Sequence, residues 1–116
     1  MANPMRGQVE ITLGSETYKC RLTIDSLIKI EDDLDEGILQ LAQKIANADV
    51  RLKTLVTVLH YAMRGGGNDM ADKEVRQLIS RVGLVSASTQ VAVLLASTLS
   101  DPSAEEESMG KSEVAR

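Results

Sequence analysis

Apolar residues alternate with polar ones from Gly7 to Ile24: Val9, Ile11 and Leu13 form one run, and Tyr18, Cys20, Leu22 and Ile24 the next. A period of two puts every second side chain on one face, so both runs predict half-buried strands. Between them Gly14-Ser15 suits a two-residue turn, which sets Ile11 opposite Tyr18 and Val9 opposite Cys20. The same register places Glu10 against Lys19 and Thr12 against Thr17, giving one apolar face and one polar face with a favourable charge pair. A slip by one residue sets every apolar side chain against a polar one. The pattern therefore predicts an antiparallel hairpin over about Gln8 to Thr23.

After Ile24 the period lengthens. Leu27, Ile30 and Leu34 share one helical face, with Asp25 or Ser26 as candidate caps, and Gly37 interrupts the pattern. Ile38, Leu41, Ala42 and Ile45 resume it in a short second helix ending near Asn47-Ala48. A third helix, with Asp49 as its expected cap, carries the stripe Leu52, Leu55, Val56, Leu59 and Met63. It stops at Gly65-Gly66-Gly67, which reads as a flexible loop because each glycine weakens a helix. Asn68, Asp69 and Asp72 offer caps for a fourth helix that buries Val75, Leu78, Ile79 and Val82 and ends at Gly83. The last helix, about Ser86 to Leu99, shows Val91, Leu94, Leu95 and Leu99 on one face. Ala92 and Val93 widen its apolar surface beyond a single stripe, which points to burial on two sides or to a partner.

The chain has 116 residues, 43% of them hydrophobic and 26% charged. That length supports one modest core, so a single folded unit over residues 1–100 is expected. Residues 101–116 change character: Pro102, Ser103, Glu105, Glu106, Glu107, Ser108, Gly110 and Ser112 show no apolar period, and a disordered acidic tail is expected there. The expected fold is α+β, an N-terminal two-stranded antiparallel β-hairpin packed on a bundle of four to five α-helices. With no Phe or Trp and only Tyr18 and Tyr61 as aromatics, the core must be aliphatic.

The formal charge of −4 lacks the basic footprint of a nucleic-acid surface, and base-stacking platforms are missing. The longest apolar run, Val91 to Ala96, is too short to cross a bilayer, and the N-terminus lacks the apolar stretch of a secretory signal. One Cys, Cys20, and one His, His60, cannot form a disulfide within the chain or a zinc site built from Cys and His alone. A reducing cytoplasm is the expected home, and no cofactor is expected.

The acidic cluster Glu31-Asp32-Asp33-Leu34-Asp35-Glu36-Gly37 fails the EF-hand spacing, because Leu34 and Gln43 fall where oxygen ligands belong. It reads as a charged, solvated helix end. The Gly65–Gly67 run lacks the Gly-Lys-Ser/Thr sequence of a phosphate-binding loop. His60 has no nucleophile in its neighbourhood and reads as a partly exposed residue beside the Leu59/Met63 stripe, while Cys20 reads as a small core residue. Binding or assembly, rather than catalysis, is the expected class.

The order of features resembles a known family. Arg6-Gly7-x-Val9, Leu13-Gly14, Tyr18-x-x-Arg21-Leu22-Thr23 and Leu27-x-x-Ile30-Glu31-Asp32-x-Leu34 are similar to the opening of the small tail-assembly proteins of gene transfer agents and long-tailed phages. Arg64-Gly65-Gly66-Gly67, Glu74-Val75-x-x-Leu78-Ile79 and Val82-Gly83-Leu84 extend the likeness, which covers roughly residues 6 to 99. It implies a tail assembly chaperone, not an enzyme, that binds the tape measure protein in the bacterial cytoplasm and recruits tail tube protein, and that is absent from the finished particle. Some members carry the label tail tube protein, so a structural tail component is the nearest alternative. A tube subunit needs enough strand to close a β-ring, and one hairpin falls short of that.

On the residues alone, the last helix is a candidate partner-binding or self-association face through Ala92, Val93 and Ala96, with Leu94 expected in the core. A small regulator with a helix-turn-helix is a further alternative, resting on the basic trio Lys73, Arg76 and Arg81.

Overall fold

The computed structural model describes residues 8–100. Strands β1 (Gln8–Leu13) and β2 (Glu16–Arg21) form a two-stranded antiparallel sheet. Their register pairs Val9 with Cys20, Glu10 with Lys19, Ile11 with Tyr18 and Thr12 with Thr17, as the two-face argument requires. Gly14 leads the turn at φ +70°, a left-handed conformation that a Cβ disfavours. Ile11, Leu13, Cys20 and Leu22 are buried on one side, while the Thr12 and Thr17 hydroxyls face each other at 3.5 Å on the other.

Five helices follow: α1 (Ile24–Leu34), α2 (Ile38–Ala46), α3 (Leu52–Gly65), α4 (Asp72–Val82) and α5 (Leu84–Ser100). The fold is thus the expected α+β arrangement of one hairpin on a helical bundle. The sheet lies across α3 and α5, with β2 against α3 and β1 against α5; α1 and α4 flank α3, and α2 packs on α5. Leu55, Val58, Leu59, Ala62 and Met63 of α3 meet Val91, Leu94 and Leu95 of α5 in the core. Burial of these aliphatic faces supplies the main stabilisation, because no aromatic other than the partly buried tyrosines contributes.

Several caps differ from expectation. Helix α1 is capped by Thr23 rather than Asp25 or Ser26: the Thr23 hydroxyl accepts the Ser26 N–H at 3.1 Å. Its end comes at Asp35, in the left-handed region at φ +55°, and Gly37 is the first residue of the next cap rather than the break itself. The Glu31 carboxylate accepts the Ile38 N–H at 2.8 Å, so part of the acidic cluster satisfies an orphan donor of α2. Asp49 does not cap α3. The left-handed turn at Ala48 carries Asp49 back onto α2, where its N–H donates to the Lys44 carbonyl at 2.8 Å, and Arg51 occupies the cap position of α3.

Helix α4 begins at Asp72 with Ala71 at its cap, and the Glu74 carboxylate accepts the Ala71 N–H at 2.8 Å. Helix α5 starts at Leu84, two residues ahead of the expected Ser86. The tail expected over residues 101–116 lies outside the described residues.

The glycine run is not simply a flexible loop. Gly65 is the last residue of α3 and Gly66 its cap. A Cβ on Gly65 would overlap the Arg21 carbonyl oxygen, and one on Gly66 the Lys19 carbonyl oxygen. Glycine is needed there because α3 ends with its backbone pressed against β2. Gly67, at φ +95° with open space around it, is the residue that turns the chain.

Candidate functional site

Helix α5 has no ionisable side chain in its 17 residues. Its inner side is buried, Leu94 included, and it is covered by β1, α2, α3 and α4, which accounts for most of its apolar width. Val93 remains 48% exposed. Ala96 is also exposed, whereas Ala92 is half-buried and packed against the core. Of the three residues singled out in the sequence, two therefore face outward and one lies at the margin. Val85 and Thr89, also exposed, prolong the outward line at helical spacing.

Both outer edges of the hairpin carry contacts from this helical frame. The Thr12 N–H on β1 donates to the Gln90 side-chain oxygen of α5 at 3.0 Å. The Asn68 side-chain amide donates to the Lys19 carbonyl of β2 at 2.7 Å. A free strand edge is a template for pairing with another chain, and these side chains occupy part of that template.

A second surface escaped the periodicity argument. Between α3 and α4 lies an open groove of about 800 Å³, with the buried Val56 and Ile79 along its floor and Leu52 and Leu84 at its rim. Leu52 is 56% exposed and Leu84 43%, so Leu52 does not belong to the buried stripe in which the 3.6-residue period places it. Both open a helix. A side chain on the first helical residue leans back past the helix end, away from the packed turns that follow. Position within the element, rather than period, was the signal available in the sequence.

The groove continues past Thr57 and Asp72 into a smaller polar recess lined by Asp33, His60, Tyr61 and Arg64. Asp72 pairs with Arg76 at 2.7 Å across one turn of α4. Tyr61 donates to the Asp33 carboxylate at 2.8 Å, and that hydrogen bond is the chief reason its phenol titrates above the usual range. His60 donates from Nε2 to the Met70 carbonyl at 2.8 Å, which ties the α3–α4 connection to α3. Burial pushes the Cys20 thiol up to about 12, far from the thiolate form that nucleophilic chemistry needs. Its Sγ lies 3.9 Å from Met63 Sδ.

Among the described residues, no group of three His, Cys, Asp or Glu side chains is placed to hold a metal ion, and no single helix is long and apolar enough to cross a membrane. Lys73, Arg76 and Arg81 are exposed on α4, with Arg76 engaged by Asp72. A single residue, Gly83, joins α4 to α5, where a helix-turn-helix has a turn of several residues and a polar recognition helix. Helices α4 and α5 therefore do not form a helix-turn-helix with each other.

The described residues thus form a small α+β domain with open apolar surface on the outer side of α5 and in the groove between α3 and α4. Residues 6–101 match the family model described as "Phage tail tube protein, GTA-gp10", and the chain belongs to this family of phage and gene transfer agent tail proteins. The family's description names the tail tube, not an assembly chaperone. Comparisons with curated proteins and with solved structures gave no match.

Proposed function

We propose that the chain is a non-enzymatic tail assembly chaperone, which binds the tape measure protein, helps recruit tail tube subunits in the bacterial cytoplasm and leaves before the particle is finished. The observation that carries this reading is the balance of the fold: one two-stranded sheet against five helices among the described residues. A tube ring is closed by strands pairing edge to edge between subunits. Here Gln90 and Asn68 already engage both hairpin edges. What remains open is apolar helical surface, suited to covering amphipathic helices of a long partner.

The second reading, a structural subunit of the tail tube, is favoured by the family's description. Quantitative mass spectrometry of purified particles separates the two. The chaperone reading expects the chain in producing cells, co-purifying with tape measure fragments, and missing from finished tails. Recovery in finished tails at a copy number matching the tube repeat would replace it with the structural reading.

The α5 face is the proposed tape measure contact. Val93→Glu places a charge on an exposed position, so capture of a tape measure fragment should weaken at least about tenfold while helix content and melting stay near those of the parent. His60→Ala should leave capture unchanged. Normal capture by Val93→Glu, or its unfolding, would show that α5 has been wrongly chosen.

A further inference from the structure

We propose that the groove between α3 and α4 is a docking site for one amphipathic α-helix of another protein, with a short apolar stripe flanked by carboxylates. The inference is independent of the chaperone reading and concerns a different face from Val93.

The shape of the groove selects a helix. Both walls are helices whose backbone groups are bonded internally, so the groove offers no ladder to an extended strand, and an occupant must satisfy its own backbone. From Leu52 to Arg64 the α3 wall spans about 18 Å at the helical rise of ~1.5 Å per residue, the length of roughly three turns. The 800 Å³ of the apolar section accommodates a few aliphatic side chains at positions such as i, i+4 and i+7. Leu52 and Leu84 at the rim are the exposed apolar surface that such a stripe would cover.

Charge selects the flanks. Asp72 on the groove wall is engaged by Arg76, and Asp33 in the recess by the Tyr61 hydroxyl. Lys53, which lines the apolar section, makes no ion pair among the described residues, whereas Arg64 lies in the polar recess that also holds Asp33. The N-terminus of α3, which lies at the Leu52 and Lys53 end, adds its own partial positive charge. Lys53 and the α3 N-terminus leave positive charge open at one end of the apolar trough, which matches an occupant with carboxylates beside its apolar stripe.

The test is fluorescence anisotropy on the full chain with two labelled synthetic helices, each carrying the same leucine stripe, one flanked by glutamates and the other by lysines. At about 50 mM salt the glutamate peptide should bind about fivefold or more tightly than the lysine peptide, and the ratio should collapse at about 0.5 M as the charges are screened. Leu52→Glu should abolish binding. Because Leu52 is the first residue of α3, a carboxylate there suits the helix start, and circular dichroism and melting should be unchanged. Lys53→Glu, one residue further on, should remove or invert the preference, while Val93→Glu should leave it intact.

Failure of both peptides to bind, binding blind to flank charge, or binding untouched by Leu52→Glu overturns the proposal. So does sedimentation showing a dimer that Leu52→Glu converts to monomer, since a second copy would then be the occupant.

Discussion

Replacing Gly66 with alanine separates two explanations of the glycine run. If Gly65–Gly67 were only a flexible loop, alanine would be welcome at Gly66, whose φ of −90° any residue adopts. The loss of unfolded-chain entropy would then stabilise the fold by about 0.4–1 kcal/mol. The structure demands the opposite sign. A Cβ at Gly66 overlaps the Lys19 carbonyl, which is backbone in a paired strand and has nowhere to go. The end of α3 must retreat from β2, loosening the buried Cys20–Met63 contact and the Asn68–Lys19 hydrogen bond. Overpacking of this kind costs ~1–3 kcal/mol, and the lost hydrogen bond about 1 kcal/mol more. A loss of roughly 2–4 kcal/mol lowers the melting temperature of a domain this size by roughly 10–20 °C. Urea unfolding followed by far-ultraviolet circular dichroism measures it, with an unchanged m-value confirming that the transition is the same one. Gly37→Ala is the control, because nothing lies within 4 Å of its added Cβ. A Gly66→Ala chain as stable as the parent would refute the close-approach argument.

Other expectations follow from single contacts. Thr23→Ala should cost about 1 kcal/mol in chemical denaturation and Thr23→Ser much less, since it is the hydroxyl that caps α1. The Ser88 hydroxyl is buried without a hydrogen-bond partner, so Ser88→Ala should be neutral or stabilise by up to about 1 kcal/mol; a clear loss in denaturation would reveal a partner. For Cys20, the unfolded thiol ionises from about 9.0 while the folded one holds its proton to about 12. The native state therefore binds more protons above pH 9, and stability falls with rising pH by at most about 1.4 kcal/mol per unit from this group. Stability curves between pH 8 and 10 should be flatter for Cys20→Ala than for the parent, and identical slopes would contradict the assignment.

The hairpin was readable residue by residue because two constraints coincide within fourteen positions. Alternation from Gln8 to Arg21 assigns each side chain a face, and Gly14-Ser15 sets the register; both are local, and a slip is costly on every pair. The helices were legible for a similar reason, since Leu55, Leu59 and Met63, or Val75, Leu78 and Ile79, recur at the spacing that makes one buried stripe. Their ends were less so. Asp49 and Asp72 have the chemistry of caps, yet the cap positions went to Arg51 and Ala71, because where a helix starts depends on where the preceding turn delivers the chain.

Contacts distant in sequence lay beyond any local reading. Gly65 and Gly66 look like punctuation until β2 is laid against them, and Gln90 looks like a solvated side chain until it reaches Thr12 on β1. Leu52 shares the phase of a core stripe, and although its place at the start of α3 signals exposure, only the packing shows that it borders a groove shared with Ile79 of α4 and Leu84 of α5. Periodicity along a chain can tell which face of an element is apolar; whether a neighbour covers that face is settled by the packing of elements far apart in sequence.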